Sequence, residues 1–445
     1  MADHLNAPMT LATARAIRDK GGADALLQLV LTRAASGTDN AVIAQQGGLP
    51  EMPAGPLHAI PFGVKDNIDC LPFATTGGTP ALARWSPHDD APPVARLKAA
   101  GGYVPVKLNL HELAFGITSN NAAHGPVRNP FDPSRVAGGS SGGNAAAIAR
   151  GVIPFALGTD TGGSTRIPAA FCGIAGFRPS TRRYPEGGVL TLSTTRDTIG
   201  PMAVTCADLA EVDALIMSSH ADLLPPPTLR IGVLRVAAGL SAAVDLAMAD
   251  IFARLGSTPG ITLVPLEVPA FDNLDDRFGN TIVLCEAFGV WTRFARDRAR
   301  LTFADFADQI ASSDVRGVFQ ALPDIAAAEA AAYARAMAHD LPELRAAYAR
   351  LFADHALDMI AMPTVSVQPP QIGEDDMMET DLGPQPTFPT VAANTALATL
   401  TGAPSLAIPA GMDRDGLPVS LMIEALPGQD RFLLLQAQRI EALLG

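Results

Sequence analysis

Three short stretches hold residue types that could break a covalent bond. Residues 137–143 read AGGSSGG, residues 158–168 read GTDTGGSTRIP, and Lys65 closes the apolar run IPFGV and opens KDN. Four glycines around two serines need a reason, because glycine weakens ordinary elements. A phosphate-binding loop would need a following Lys-Ser/Thr or a G-x-G-x-x-G spacing, and neither is present. A G-x-S-x-G nucleophile elbow fits formally on Ser140 or Ser141. An elbow should follow an apolar strand, however, and NPFDPSRVA carries prolines and charges. Its histidine partner would have to be His220, His339 or His355. A glycine-rich structural turn is the third reading of this segment.

Ser164 stands differently. It follows two glycines and an apolar stretch, VIPFALG, so the backbone N–H groups of Thr161, Gly162, Gly163 and Ser164 itself can converge on one point. Convergent donors are what a developing oxyanion requires. A serine nucleophile also needs a base. Lys and Arg total 32, yet Lys occurs only at 20, 65, 98 and 107. Arginine stays protonated in proteins, whereas a desolvated lysine can lose its proton and act as a base. That difference is a physical reason for lysine at position 65, in apolar surroundings. Lys107, in VPVKLN, has a similar setting and is the rival.

These segments, taken together, resemble the amidase signature family of serine hydrolases. The resemblance rests on IPFGVKDNI, HELAFGITSNNAAHGPVRNPFDPSR, GGSSGG, GTDTGGSTRIPAAFCGIAGFRPS, RDTIGPMAVTCADLAEVD and the late GAPSLAIPAG. It is strong over about 58–215, weaker near the C-terminus and vague over 220–385. It implies a Ser–Ser–Lys triad in which Ser164 is the nucleophile, Ser140 the bridging serine and Lys65 the base. It further implies a cis Gly139–Ser140 peptide and an acyl-enzyme mechanism. Asp160 and Arg166 are expected to brace the nucleophile loop. His124 stands where relatives often carry Tyr or Phe, so it and Asn121 are candidate pocket residues. Val106 and Leu108 depart from the family's Gly-Lys-Thr-Asn stretch but touch no triad position. HELAFGITSNN and RYPEGGVLTLSTTRDTIGPM resemble the indoleacetamide and mandelamide hydrolases within the family. The substrate expected from this is a small amide with an aromatic or other apolar acyl group. Arylamide or urea-derived substrates, and a glutaminase subunit of a tRNA-dependent amidotransferase, are the alternatives.

The elements that must position these groups follow from periodicity. Helices are expected at 10–35 (interrupted at Gly21-Gly22), 91–100, 143–150, 205–217, 241–255 and 429–444, and 271–352 reads as mostly helical. Strands are expected at 59–64, 103–108, 152–158, 229–235, 261–268, 404–409 and 418–424. The alternation predicts an α/β fold: a large mixed, mostly parallel sheet with helices on both faces. One amidase signature domain, 1–445, is expected, with a signature core at 58–215, a substrate-shaping region at 220–385 and a C-terminal return to the core at 386–445. HADLLPPPT, 220–228, is the best linker candidate, and EDDMMETD, 374–381, reads as a surface loop.

Composition sets the outer limits. The 445 residues carry a formal charge of −13, with 48% hydrophobic and 17% charged residues. This is too apolar for disorder, and the acidic balance argues against a nucleic-acid partner. The four cysteines are scattered with no C-x-x-C pair, and His111-Glu112 lacks the second histidine of a zinc-protease helix, so no metal or other cofactor is expected. Cys172 reads as a small core residue rather than a nucleophile. The N-terminus lacks a basic start and an apolar core, and the uncharged stretch 382–412 is broken by Pro, Gly, Asn and Thr. A cytoplasmic protein with no membrane partner is therefore expected, with a homodimer as the family-level expectation.

Overall fold

In a computed structural model, residues 7–219, 226–234 and 239–444 are described. The linker candidate at 220–228 thus falls largely outside the described residues. Among the described residues, eleven strands form one sheet: β1 (Val42–Gln45), β2 (Pro61–Lys65), β3 (Tyr103–Leu108), β4 (Phe155–Asp160), β5 (Ala175–Arg178), β6 (Thr198–Ala203), β7 (Leu229–Leu234), β8 (Ile261–Leu266), β9 (Met359–Pro363), β10 (Ser405–Met412) and β11 (Pro418–Glu424). Their order across the sheet is β1-β3-β2-β4-β6-β5-β10-β11-β9-β7-β8.

The sheet is mixed, as expected, but not mostly parallel. Parallel pairing is confined to β3–β2–β4 and β9–β7–β8. Every pairing from β4 through β6, β5, β10 and β11 to β9 is antiparallel, as is β1 with β3. The correction has a local cause. Strands β5 and β6 are joined by residues 179–197, which form turns and no helix, and antiparallel neighbours need no crossover helix.

Period-2 alternation then separates two apolar layers. Phe62, Val64, Phe155, Leu157, Leu421 and Ile423 face one layer, where helices Cys206–Met217 and Asp430–Leu444 pack. The intervening Ala156 and Ala407 face the opposite layer with helix Gly142–Ala149, and Met422 packs on that side against helices Leu341–His355 and Ala396–Thr401. Helices cover both faces, as expected for a sheet whose strands are apolar throughout.

Local expectations hold with small shifts. Gly22 has φ of 82° and breaks helix Leu11–Ala35 into two. Thr205 caps helix Cys206–Met217 by accepting from the Asp208 N–H. The strand expected at 152–158 runs instead over Phe155–Asp160, because Phe155 and Leu157 pair with Ala203 and Pro201 of β6. The acidic surface loop contains a two-residue strand, Met377–Met378, paired with Gln385–Pro386. Among the described residues, no helix is long and apolar enough to cross a membrane.

Candidate active site

The ends of β2 and β4 place the chemistry. They are parallel neighbours, Gly63 opposite Ala156 and Val64 opposite Leu157, so Lys65 and the 159–164 segment emerge at the same edge. Lys65 is fully buried. Its Nζ lies 2.7 Å from Ser140 Oγ and 2.8 Å from Thr159 Oγ1. Asn67 Nδ2 donates to the same Thr159 hydroxyl at 3.1 Å, which fixes that oxygen in place. Burial pushes the Lys65 ammonium from its ordinary 10.5 down to about 7, against the smaller opposing pull of Asp160 and Asp197.

Ser140 follows a cis Gly139–Ser140 peptide and stands just before helix Gly142–Ala149. The loop cannot tolerate larger residues. A Cβ on Gly143 would press into the carbonyls of Asn109 and Ala41. Ser141 N–H donates to the Ser164 carbonyl at 3.2 Å, joining the two serine-bearing loops.

Ser164 is 7% exposed and lines a pocket of about 280 Å³. The N–H groups of Thr161, Gly162 and Ser164 make no hydrogen bond within the described residues. Gly163 corrects the sequence expectation. Its N–H donates to Asp160 Oδ1 at 3.0 Å and is not open to a substrate. Its φ of 117° turns the amide inward, and a Cβ there would also run into Thr395. The open donors are therefore three, not four.

Asp160 organises the loop. It accepts from Gly163 N–H, from Thr165 N–H at 3.3 Å, from Arg166 Nε and Nη2 at 3.0 Å each, and from Arg178 Nη1 at 3.1 Å. Burial alone would push this carboxyl up. Arg166, Arg178 and the hydrogen bonds outweigh it and hold the group well below the usual carboxylate range. Exchanging Asp160 for Ala removes the carboxylate nearest two buried guanidinium groups, leaving Arg178 unpaired at that point and Arg166 only Glu424 at 3.8 Å. It is expected to destabilise the fold by about 3–5 kcal/mol, because breaking a buried ion pair from one side exposes the full desolvation cost. Urea unfolding of Asp160→Ala measures this, and a loss below about 1 kcal/mol would contradict the bracing role.

Three members of this network escaped the sequence reading. Thr159 accepts from Lys65 across 94 positions of sequence. Arg178 donates to the Asp160 carbonyl at 2.6 Å, and its one sequence signal was a charge ending the apolar run AGF. Asp197 accepts from Thr161 Oγ1 at 2.6 Å and from Leu192 N–H at 2.8 Å. Burial pushes the Asp197 carboxyl up to about 6, although those hydrogen bonds and Arg178 pull it down.

Other candidates fall away on geometry. Lys107 Nζ lies 3.0 Å from Asp66 and donates to the carbonyls of Ile68 and Ala74, so it is a structural cation. Neither Asn121 nor His124 lines the Ser164 pocket, which corrects their assignment. Asn121 is fully buried and spent on backbone: its amide donates to Gly78 and Leu110 carbonyls, and its oxygen accepts from Ala123 and His124 N–H. His339 and His355 are exposed on helical segments, and no histidine lines the pocket. An elbow reading thus has no base among the described residues, and His339→Ala is expected to leave turnover unchanged; an inactive variant would restore that reading.

The pocket walls are Phe115, Ile117, Leu192, Val283, Leu284 and Val318, with the part-exposed Phe388 beside them. Val283, Leu284 and Val318 come from the helical stretch whose contacts the sequence did not reveal. A larger crevice of about 720 Å³, lined by Val233, Met248, Phe252 and Glu267, has no serine, lysine or other group named above among its described lining residues.

Comparison with known proteins finds similarity over most of the chain. The sequence profile of a family described as Amidase matches residues 25–434. The chain is 37% identical to an indoleacetamide hydrolase from Agrobacterium vitis over 382 residues, covering 85% of this chain and 82% of that protein. It is 36% identical to a mandelamide hydrolase from Pseudomonas putida over 408 residues, covering 88% and 79%. Its fold superposes on an amidase crystal structure with a TM-score of 0.84 at 29% identity, covering 98% of this chain and all of that one.

Proposed function

Because the chain belongs to the amidase signature family of amide-hydrolysing enzymes, we propose that it cleaves a small amide with an aromatic or other apolar acyl group through Lys65, Ser140 and Ser164. The observation that carries this reading is the buried Lys65 Nζ 2.7 Å from Ser140 Oγ, with burial holding that lysine near neutrality.

Proton accounting gives the steps. Neutral Lys65 donates one N–H to Thr159 and turns its lone pair to Ser140. Ser140 passes its proton to Lys65 and takes one from Ser164 as Ser164 Oγ bonds to the amide carbon. The negative oxygen that forms is met by the N–H groups of Thr161, Gly162 and Ser164. The relay then runs backwards and delivers a proton to the nitrogen as the C–N bond breaks. The amine or ammonia leaves with that proton. Water next attacks the Ser164 ester, loses a proton into the same relay, and the acid departs as Ser164 regains its hydrogen.

Two features support an apolar acyl group. The pocket beside Ser164 is walled by aromatic and aliphatic side chains, and two similar proteins are named for arylacetamide-type substrates. Glutamine would bring an ammonium and a carboxylate into a pocket whose lining carboxylate, Asp275, is already paired with Arg196, so both charges would lose hydration for little return. An ammonia-release screen over indoleacetamide, mandelamide, benzamide, short aliphatic amides, anilides and glutamine tests the class. Turnover of the arylacetamides is expected. Cleavage of glutamine alone, or of nothing, overturns the reading.

The lysine also sets a pH dependence. Its neutral form is the base, so kcat/KM should rise with pH and level off above an apparent pKa near 7. About a tenth of the enzyme is competent at pH 6 and about nine tenths at pH 8 if that single ionisation governs. A profile that falls across this range would mean that a protonated group does the work.

A further inference from the structure

Within the apolar Ser164 pocket, polar groups gather on one side. Asp275 and Asn280 both line it, at either end of the π-helical turn Asp275–Gly279, which leads into helix Asn280–Phe294. Such turns widen the helix and redirect side chains, and they recur at functional sites. Asp275 Oδ1 accepts from Arg196 Nη1 at 2.9 Å. Its second oxygen and the Asn280 side-chain amide make no hydrogen bond within the described residues. An otherwise apolar cavity with a few convergent polar groups left open is how a site fixes the orientation of its ligand.

The charge of Asp275 is already met. Arg196, 2% exposed, also donates to the Thr161 and Gly279 carbonyls and to Thr399 Oγ1. A ligand ammonium would add a second cation to a balanced pair. A neutral donor needs no such compensation and finds a charged acceptor waiting.

We propose that Asp275, with Asn280, selects amides whose acyl group carries a neutral N–H or O–H donor, which Asp275 Oδ2 accepts. This rests on the reading that the Ser164 pocket holds the acyl group. Asp275 also touches the nucleophile loop through Arg196 and the Thr161 carbonyl, so loss of the carboxylate alone would not separate recognition from bracing.

Matched substrates make the separation. The kcat/KM values of indole-3-acetamide and its benzothiophene counterpart, and of mandelamide and phenylacetamide, compare acyl groups with and without a donor. The wild-type chain is expected to favour the donor-bearing member of at least one pair by about ten- to a hundredfold, the range for a hydrogen bond to a charged group. Asp275→Asn keeps an oxygen for Arg196 and turns an N–H donor to the cavity. That preference should then collapse to within about threefold, the donor-bearing amide losing more than its donor-free counterpart. Equal wild-type rates within both pairs overturn the proposal without any variant. So does an Asp275→Asn enzyme that loses both members of the favoured pair alike. Failure of the wild-type chain to cleave any of the four amides is a different result, which overturns the pocket reading itself.

Discussion

Ser164→Ala is expected to abolish amide turnover, with kcat/KM falling on the order of 10⁵- to 10⁶-fold, as when a serine nucleophile is deleted from a triad that acts as a unit. The fold should hardly respond. Ser164 Oγ makes no hydrogen bond within the described residues, and the Ser164 carbonyl that accepts from Ser141 N–H is kept in alanine. The variant therefore separates chemistry from stability: its melting temperature should match that of the wild type. It should also bind arylacetamides, since the apolar walls of the pocket are untouched. Steady-state kinetics and thermal unfolding together check this. Residual turnover within about tenfold of wild type would move the nucleophile elsewhere, because nothing else in the relay can replace a lost Oγ.

Lys65→Arg and Lys65→Met form the second large effect, and they fail for different reasons. Arginine keeps the positive charge but cannot release its proton. Methionine keeps the length and the apolar packing and has no basic nitrogen. Both should lose on the order of 10³- to 10⁴-fold in kcat/KM, the upper part of the range for general acid–base catalysis. Raising the pH should rescue neither. The arginine variant is also expected to be less stable by about 1–3 kcal/mol, because the site is fully enclosed and a guanidinium overfills it. Methionine should not share that loss. An active Lys65→Met enzyme would remove lysine from the mechanism, whatever its distance to Ser140.

The site was more legible in the sequence than the sheet that carries it. Glycine clusters and a lysine in an apolar run mark the segments, but composition leaves Ser141 beside Ser140 and Lys107 beside Lys65; it is the resemblance to the amidase signature family that singles out Lys65, Ser140 and Ser164. Contacts between distant segments left no such trace. Thr159 looked like one more residue of a strand until β2 and β4 paired and put it beside Lys65. The sequence shows a glycine at 163 but not the direction of its amide, which φ of 117° and Asp160 decide. The sequence offers Asn121 and His124 as pocket residues, His124 because relatives often carry Tyr or Phe there. Asn121 is instead consumed by four backbone hydrogen bonds that cross to Gly78 and Leu110 or close its own turn.

Strands β5, β6 and β9 went unread for a related reason. AGFR and TIGPMA carry glycine, proline or a terminal charge, and MIAMP ends on proline, all signs of a turn when taken alone. Their place in the middle of a large sheet overrides those preferences. Arg178 at the end of β5 is then not a strand terminator but one of two arginines on Asp160. The same long-range pairing explains why the sheet is less parallel than the alternation of helices and strands suggested.

The central claim is that the acyl group is carried by Ser164, and trypsin provides a direct reading of it. Cleavage at Arg135, Arg150 and Arg166 releases residues 136–150, which hold Ser140 and Ser141, apart from residues 151–166, which hold Ser164. Acid quenching during turnover of a slowly deacylating arylacetic ester, followed by digestion and mass spectrometry, should place the acyl mass on the 151–166 peptide and, on fragmentation, on Ser164. Acylation of the 136–150 peptide, or of neither, would contradict the account.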